Sequence, residues 1–105
     1  VANPIGLQVQ ELLDDALEIR NDALSRKKPD GSNKSEPDFA KGGAEANKKL
    51  KGLISGNDAA GTKGILQLLE DARKSGFPVK QIEDAREAVQ RYQKDVAREV
   101  MGFDF

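Results

Sequence analysis

Apolar residues recur every three or four positions near the end of the chain, and this spacing constrains the fold more than any other feature. The residues concerned are Val79, Ile82, Ala85, Val89, Tyr92, Val96 and Val100. Steps of three and four place side chains on one stripe of an α-helix. The pattern therefore predicts a long helix here, with Tyr92 in the core and its hydroxyl at the core's edge.

Three earlier blocks show the same spacing, so we predict four helices. Their predicted bounds are about 4–27, 37–55, 58–75 and 78–101. Pro29 ends the first helix, because proline disfavours a helical conformation in the residue before it. Pro37 suits the first turn of the second helix, and Gly76 ends the third. The apolar blocks of the first and third helices include Leu17 and Leu66, and most residues of the first block share one stripe.

No segment alternates apolar and polar residues as a half-buried strand does. Helices joined by short connections usually pack as antiparallel neighbours. We therefore predict one all-α domain over residues 1–105, a four-helix up-down-up-down antiparallel bundle with a short C-terminal tail.

Two adjacent glycines, Gly42 and Gly43, lie inside the predicted second helix. Each weakens a helix by about 1 kcal/mol relative to alanine. Either a neighbouring helix approaches closely at these small residues, or the helix is hinged or broken there. The sequence leaves both alternatives open, and we favour close approach.

The absence of histidine and cysteine excludes much enzyme chemistry. Without histidine there is no Ser-His-Asp triad and no histidine general base. Without cysteine there is no disulfide framework, zinc knuckle, iron–sulfur cluster or thiol nucleophile. Gly56 to Lys63 resembles a phosphate-binding loop, but Thr62 and Lys63 stand in swapped order and no strand is predicted before it. We therefore expect no enzyme, no catalytic residue and no cofactor.

Five carboxylates crowd the first predicted helix: Glu11, Asp14, Asp15, Glu18 and Asp22. A hard cation such as Ca²⁺ takes oxygen ligands, but its sites converge from a loop or from several elements. We expect a solvated face and no metal site, and the binding of a divalent ion there stays an open question.

Charge is unevenly distributed along the chain. Residues 1–25 carry one basic and five acidic groups, residues 26–51 carry eight and four, and the remainder carries eight and nine. Such asymmetry can orient a protein on a partner. The predicted partner-binding residues are Lys41, Lys48, Lys49, Lys51, Arg91, Lys94, Arg98, Phe103 and Phe105.

The basic residues of the last helix alternate with acidic ones, so we expect local ion pairs to neutralise part of their charge. The two phenylalanines of the tail, Phe103 and Phe105, either fold back onto the bundle or anchor a partner. The net charge of −1 is not that of a nucleic-acid binder. No stretch approaches the ~20 apolar residues of a membrane span, so we expect at most peripheral contact with a membrane.

The layout resembles a known family. The chain starts at Val1 without methionine, which fits a processed mature protein or a cloned fragment. With this start, no cysteine and four predicted helices, it is similar to the PsbQ-like extrinsic subunits of photosystem II, most of all to the additional small extrinsic subunit of diatoms. The segments that carry the resemblance are Ala2-Asn3-Pro4-Ile5-Gly6-Leu7 and Asp15-Ala16-Leu17-Glu18-Ile19-Arg20-Asn21-Asp22-Ala23-Leu24.

The resemblance implies a non-catalytic protein of the thylakoid lumen that docks electrostatically on photosystem II or on its other extrinsic subunits. It implies support of oxygen evolution by a manganese–calcium cluster that belongs to other subunits, and we expect a monomer in isolation. The alternative is a helical interaction module, a secreted effector or phage accessory protein, with an unrelated protein partner.

Overall fold

Four helices form the structure, a computed structural model that describes residues 4–56 and 63–102, with only the backbone at position 101. The helices are α1 (Ile5–Leu24), α2 (Glu36–Ser55), α3 (Ile65–Ser75) and α4 (Val79–Met101). Each helix contacts the other three. The predicted all-α four-helix bundle is confirmed.

Local chemistry explains where the helices begin and end. The Ser35 hydroxyl caps α2 by accepting a hydrogen bond from the Asp38 N–H at 3.2 Å. α3 and α4 end at Gly76 and Gly102, whose φ angles of 79° and 72° lie in the left-handed region that favours glycine. The predicted bounds of α2 and α4 differ from those observed by a single residue at one end.

α1 ends at Leu24, three residues before the predicted end, because a small hairpin follows it. Lys27 pairs with Asn33 in an isolated antiparallel bridge. The Lys34 N–H donates to the Arg26 carbonyl at 2.8 Å. Gly31 has a φ of 87°, which lets it close the tight turn that Pro29 begins. Backbone pairing across this hairpin replaces the last turn of the predicted helix.

α3 begins at Ile65 rather than at the predicted Asp58, which lies outside the described residues. Gly64 precedes α3 in an extended conformation, and its N–H donates to the side-chain oxygen of Gln67 at 2.8 Å. A β carbon at Gly64 would overlap the backbone nitrogen of Gly56 and approach the carbonyl oxygen of Leu53 to 2.8 Å. Position 64 therefore requires glycine, because the start of α3 lies against the end of α2.

The directions of the helices follow from three contacts. Lys34 donates from the start of α2 to the carbonyl of Asp22 at the end of α1, so α1 and α2 are antiparallel. Gly43, early in α2, faces Val100 at the end of α4, so these two are also antiparallel. Arg20 pairs with Asp95 at 3.0 Å, which brings the C-terminal ends of α1 and α4 together.

α1 and α4 therefore run in the same direction, whereas an up-down-up-down order would make them antiparallel. The cause lies at the connection between α2 and α3. α3 starts beside the last turn of α2, and Leu69 and Arg73 of α3 lie near Glu83 and Gln90 in the first half of α4. α2 packs against the C-terminal end of α4, and α3 packs against its first half. The two shorter helices therefore contact successive parts of one long helix.

The core is aliphatic, and the described residues include no buried charged side chain. The largest fully buried side chains are Leu50, Ile65, Leu68, Ile82, Val89 and Val96. Tyr92 is half-buried against this cluster, as predicted. Leu17 and Leu66, which belong to the apolar blocks of the first and third predicted helices, are 41% and 44% exposed because each lies beside the buried stripe of its helix.

Close approach, rather than a break, explains the glycine pair. α2 continues unbroken through both residues. Gly43 is buried, and a β carbon there would meet Val100, whereas a β carbon at Gly42 would have nothing within 4 Å. Only Gly43 is therefore required for the packing of α2 on α4.

Candidate docking surface

The four lysines predicted on α2 are all exposed. Lys41, Lys48, Lys49 and Lys51 project away from the buried side of the helix, which Gly43 and Leu50 occupy. Within residues 4–56 and 63–102, no carboxylate lies within 4.0 Å of any of these ammonium groups. Their charges are therefore available to a partner without breaking an internal ion pair.

The predicted basic residues of α4 form a second exposed cluster. Arg91, Lys94 and Arg98 follow one another at steps of three and four, so they share one stripe of the helix. The local ion pairs expected for them are absent from the described part of the chain. Asp95 pairs instead with Arg20 of α1, and the ion pair seen within α4 joins Lys80 to Asp84 at 3.2 Å.

The fold brings these two clusters onto neighbouring helices. Gly43 and Val100 mark the same level of the antiparallel pair. Each residue of an α-helix rises 1.5 Å, so Lys51 lies about 12 Å further along α2, level with the region around Arg91 and Lys94 of α4. The two clusters therefore occupy the same stretch of the bundle.

We call this surface the basic face. It consists of Lys41, Lys48, Lys51, Arg91, Lys94 and Arg98. Lys49 does not belong to it, because it lines a shallow depression on the α1 side of α2 together with Asp22, Lys34 and Glu45. The other two predicted residues, Phe103 and Phe105, lie outside the described residues.

A second charged surface lies on α1, and we call it the acidic face. Its carboxylates, all exposed, are Glu11, Asp14, Asp15, Glu18 and Asp22. The Gln10 amide donates to Asp14 at 2.9 Å, and no basic group of the described chain lies within 4.0 Å of these carboxylates. No group of three or more acidic residues in this part of the chain is arranged to hold a metal ion.

The two faces lie on different helices of the bundle. α1, α2 and α4 each contact the other two, so in cross-section they form a triangle. The basic face lies on the exposed surfaces of α2 and α4, which form two corners of this triangle. The acidic face lies on the outer surface of α1, the third corner, away from buried Leu12 and Ala16.

The connection between α1 and α2 is ordered by its own contacts, which sequence analysis missed. The Arg26 guanidinium lies 4.1 Å from the centroid of the buried Phe39 ring and pairs with Glu36 at 2.8 Å. Hydrogen bonds from the Ser32 hydroxyl and N–H lower the pKa of the Asp30 carboxyl. The Pro29-Asp30-Gly31 sequence is a turn signal, and it predicts the turn itself but not the pairing of Lys27 with Asn33 across it.

Exposed leucines on the acidic face were also missed. Leu7 precedes Glu11 by four residues on the same stripe and is 47% exposed. Leu17 lies three residues beyond Asp14. Plotting α1 at 100° per residue separates both leucines from buried Ala16, so this signal was present in the sequence.

No family model, curated protein or solved structure matches this chain. Its function must therefore be argued from its own surfaces. None of the described helices has the length and apolar character needed to cross a membrane.

Proposed function

We propose that this protein is a non-catalytic extrinsic subunit that docks through its basic face on the lumenal side of photosystem II and supports oxygen evolution. The observation that carries the docking role is the basic face itself. Six exposed cationic side chains lie on two adjacent helices, and no carboxylate of the described chain lies within 4.0 Å of them.

Unpaired exposed cations favour association with an acidic protein surface. At 0.1 M salt these cations attract an acidic surface over about 10 Å, because salt ions screen charges that lie further apart. Docking then forms intermolecular ion pairs without breaking intramolecular ones. Charge complementarity of this kind chiefly raises the association rate and fixes orientation, so binding should weaken steeply with salt.

The choice of photosystem II as the partner comes from the resemblance to the PsbQ-like subunits. A supporting rather than catalytic role agrees with a chain that lacks histidine and cysteine. In this proposal the manganese–calcium cluster belongs to other subunits, and this protein contributes only a docked bundle beside them. The same resemblance would place the protein in the thylakoid lumen.

The test uses photosystem II particles stripped of their extrinsic proteins. Binding of the intact chain is measured by co-sedimentation over a salt series, and oxygen evolution is recorded in parallel. We expect saturable, salt-sensitive binding that restores activity. The variant K41Q/K48Q/K51Q should bind about tenfold more weakly at low salt, because each lost exposed ion pair contributes about 0.5 kcal/mol.

A matched control changes the net charge equally at another place. Lys63, Lys74 and Lys80 each lie within 4.0 Å of a carboxylate, so K63Q/K74Q/K80Q removes three charges outside the basic face. This variant should bind like the original protein. Equal weakening of both variants would refute the basic face, and no binding at low salt would leave a helical interaction module with an unrelated partner.

A further inference from the structure

The chain carries two complementary charged faces at different corners of one small bundle. The acidic face presents five exposed carboxylates, and the basic face presents six exposed cationic groups. Because the faces belong to different corners of the helix triangle, they cannot neutralise each other within one molecule.

The dimensions of the two faces also match. Glu11 and Asp22 are eleven residues apart on α1, which corresponds to about 17 Å along the helix. Lys41 and Lys51 are ten residues apart on α2, which corresponds to about 15 Å. The acidic face of one copy is therefore about as long as the row of α2 lysines in the basic face of a second copy.

Nothing in the overall charge opposes contact between two copies. The formal net charge is only −1, so the long-range repulsion that keeps strongly charged proteins apart is small. Leu7 and Leu17, at 47% and 41% exposure, add apolar surface beside the carboxylates. The alkyl stems of lysine and arginine can cover such leucines while their charged ends pair.

We propose that the acidic face of one copy binds the basic face of a second copy, so that the protein associates head to tail at low ionic strength. The inference does not depend on photosystem II. Because the two faces lie at different corners of the bundle, two copies do not satisfy both faces in one closed two-fold pair. Each contact leaves one free acidic and one free basic face, so association continues beyond two copies, into open chains or into closed rings of three or more copies.

Sedimentation velocity over a salt series tests the association. Near 0.01 M salt, where charges interact over about 30 Å, the average mass should exceed the 11.4 kDa of one chain and rise with protein concentration. Near 1 M salt, where the range falls to about 3 Å, it should return to that of one chain. A single-chain mass throughout would overturn the proposal.

Two complementary variants test the geometry. E11Q/D14N/E18Q removes most of the acidic face, and K41Q/K48Q/K51Q removes the α2 half of the basic face. Each variant alone should stay a monomer at low salt. An equimolar mixture should form one-to-one pairs and grow no further, because each pair has no second competent contact. Circular dichroism checks that both variants remain folded.

The control K28Q/K74Q/K80Q removes three lysines that each lie within 4.0 Å of a carboxylate outside the acidic face, and it should associate as the original protein does. Association of either single-face variant alone, or growth of their mixture beyond pairs, would refute head-to-tail contact between these faces. These measurements contain only the isolated protein. Their failure therefore leaves the photosystem proposal intact, and failure of photosystem docking leaves this one intact.

Discussion

Replacing Gly43 by alanine should destabilise the bundle, whereas the same change at Gly42 should stabilise it. Both residues lie inside α2, so alanine improves the helix propensity at either position by about 1 kcal/mol. The two substitutions also reduce the freedom of the unfolded chain equally. Their difference therefore isolates the contact between α2 and α4.

The expected size of that difference follows from the packing around Val100. A β carbon at Gly43 would overlap one γ-methyl of Val100 and lie 2.8 Å from its β carbon. Rotation of the valine side chain moves the methyls but leaves its β carbon in place, so the backbones of α2 and α4 must separate. Overpacking of this kind costs about 1–3 kcal/mol.

We therefore expect Gly42→Ala to raise the free energy of unfolding by about 0.5–1 kcal/mol. Gly43→Ala should lower it by up to about 2 kcal/mol, since overpacking of about 1–3 kcal/mol outweighs the gain of about 1 kcal/mol in helix propensity. Each kcal/mol corresponds to about 4–8 °C in the unfolding midpoint of a domain near this size. Thermal and urea unfolding followed by circular dichroism measure both variants against the original protein.

The double variant Gly43→Ala with Val100→Ala provides the decisive control. Removing both γ-methyls of Val100 removes the overlap with the nearest methyl and leaves the 2.8 Å approach of the two β carbons, so part of the steric conflict disappears. A double-mutant cycle should then give a favourable coupling of about 0.5–3 kcal/mol. Equal stability of the two single variants, or no coupling in the cycle, would refute the close packing of α2 on α4.

Two further predictions concern polar groups. The side-chain oxygen of Asn47 is buried without a hydrogen-bond partner in the described chain. Asn47→Leu removes this unsatisfied group, so it should raise the urea midpoint of unfolding by the equivalent of about 1 kcal/mol. A lowered midpoint would contradict this prediction. Because hydrogen bonds from Ser32 lower the pKa of Asp30 in the folded state, the hairpin gains stability above the ordinary aspartate pKa of about 3.9 and loses it as pH falls. An NMR titration should show the Ser32 amide signal following Asp30 through this range, and Asp30→Asn should abolish that transition.

Periodicity predicted the elements well where the apolar stripe was long. The bounds of α2 and α4 lie within one residue of the predicted ones, because the residues that pack against other helices are those that the apolar spacing selects. The ends of α1 and α3 were misplaced because backbone contacts decided them. A hairpin around Gly31 replaces the last predicted turn of α1, and contact of Gly64 with the end of α2 delays the start of α3.

The sequence predicts the α2 lysines and the basic residues of α4 as two separate groups, but it does not predict that they belong to one docking surface. The spacing of Arg91, Lys94 and Arg98 places them on one helix face without any structure. Their position beside the α2 lysines depends on the pairing of α2 with α4, which no local pattern specifies. The packing of α1 against α2 placed Lys49 outside the basic face, and the packing of α1 against α4 brought Asp95 to Arg20, so these contacts also decided which charges remain unpaired.

The contact between Arg20 and Tyr92 gives the protein an optical reporter of its own. The chain contains one tyrosine and no tryptophan, so its tyrosine fluorescence comes from a single known ring. That ring lies half-buried on α4, with the Arg20 guanidinium of α1 5.9 Å from its centroid. Tyrosine emission therefore reports the separation of α1 from α4 specifically, while circular dichroism reports all four helices together.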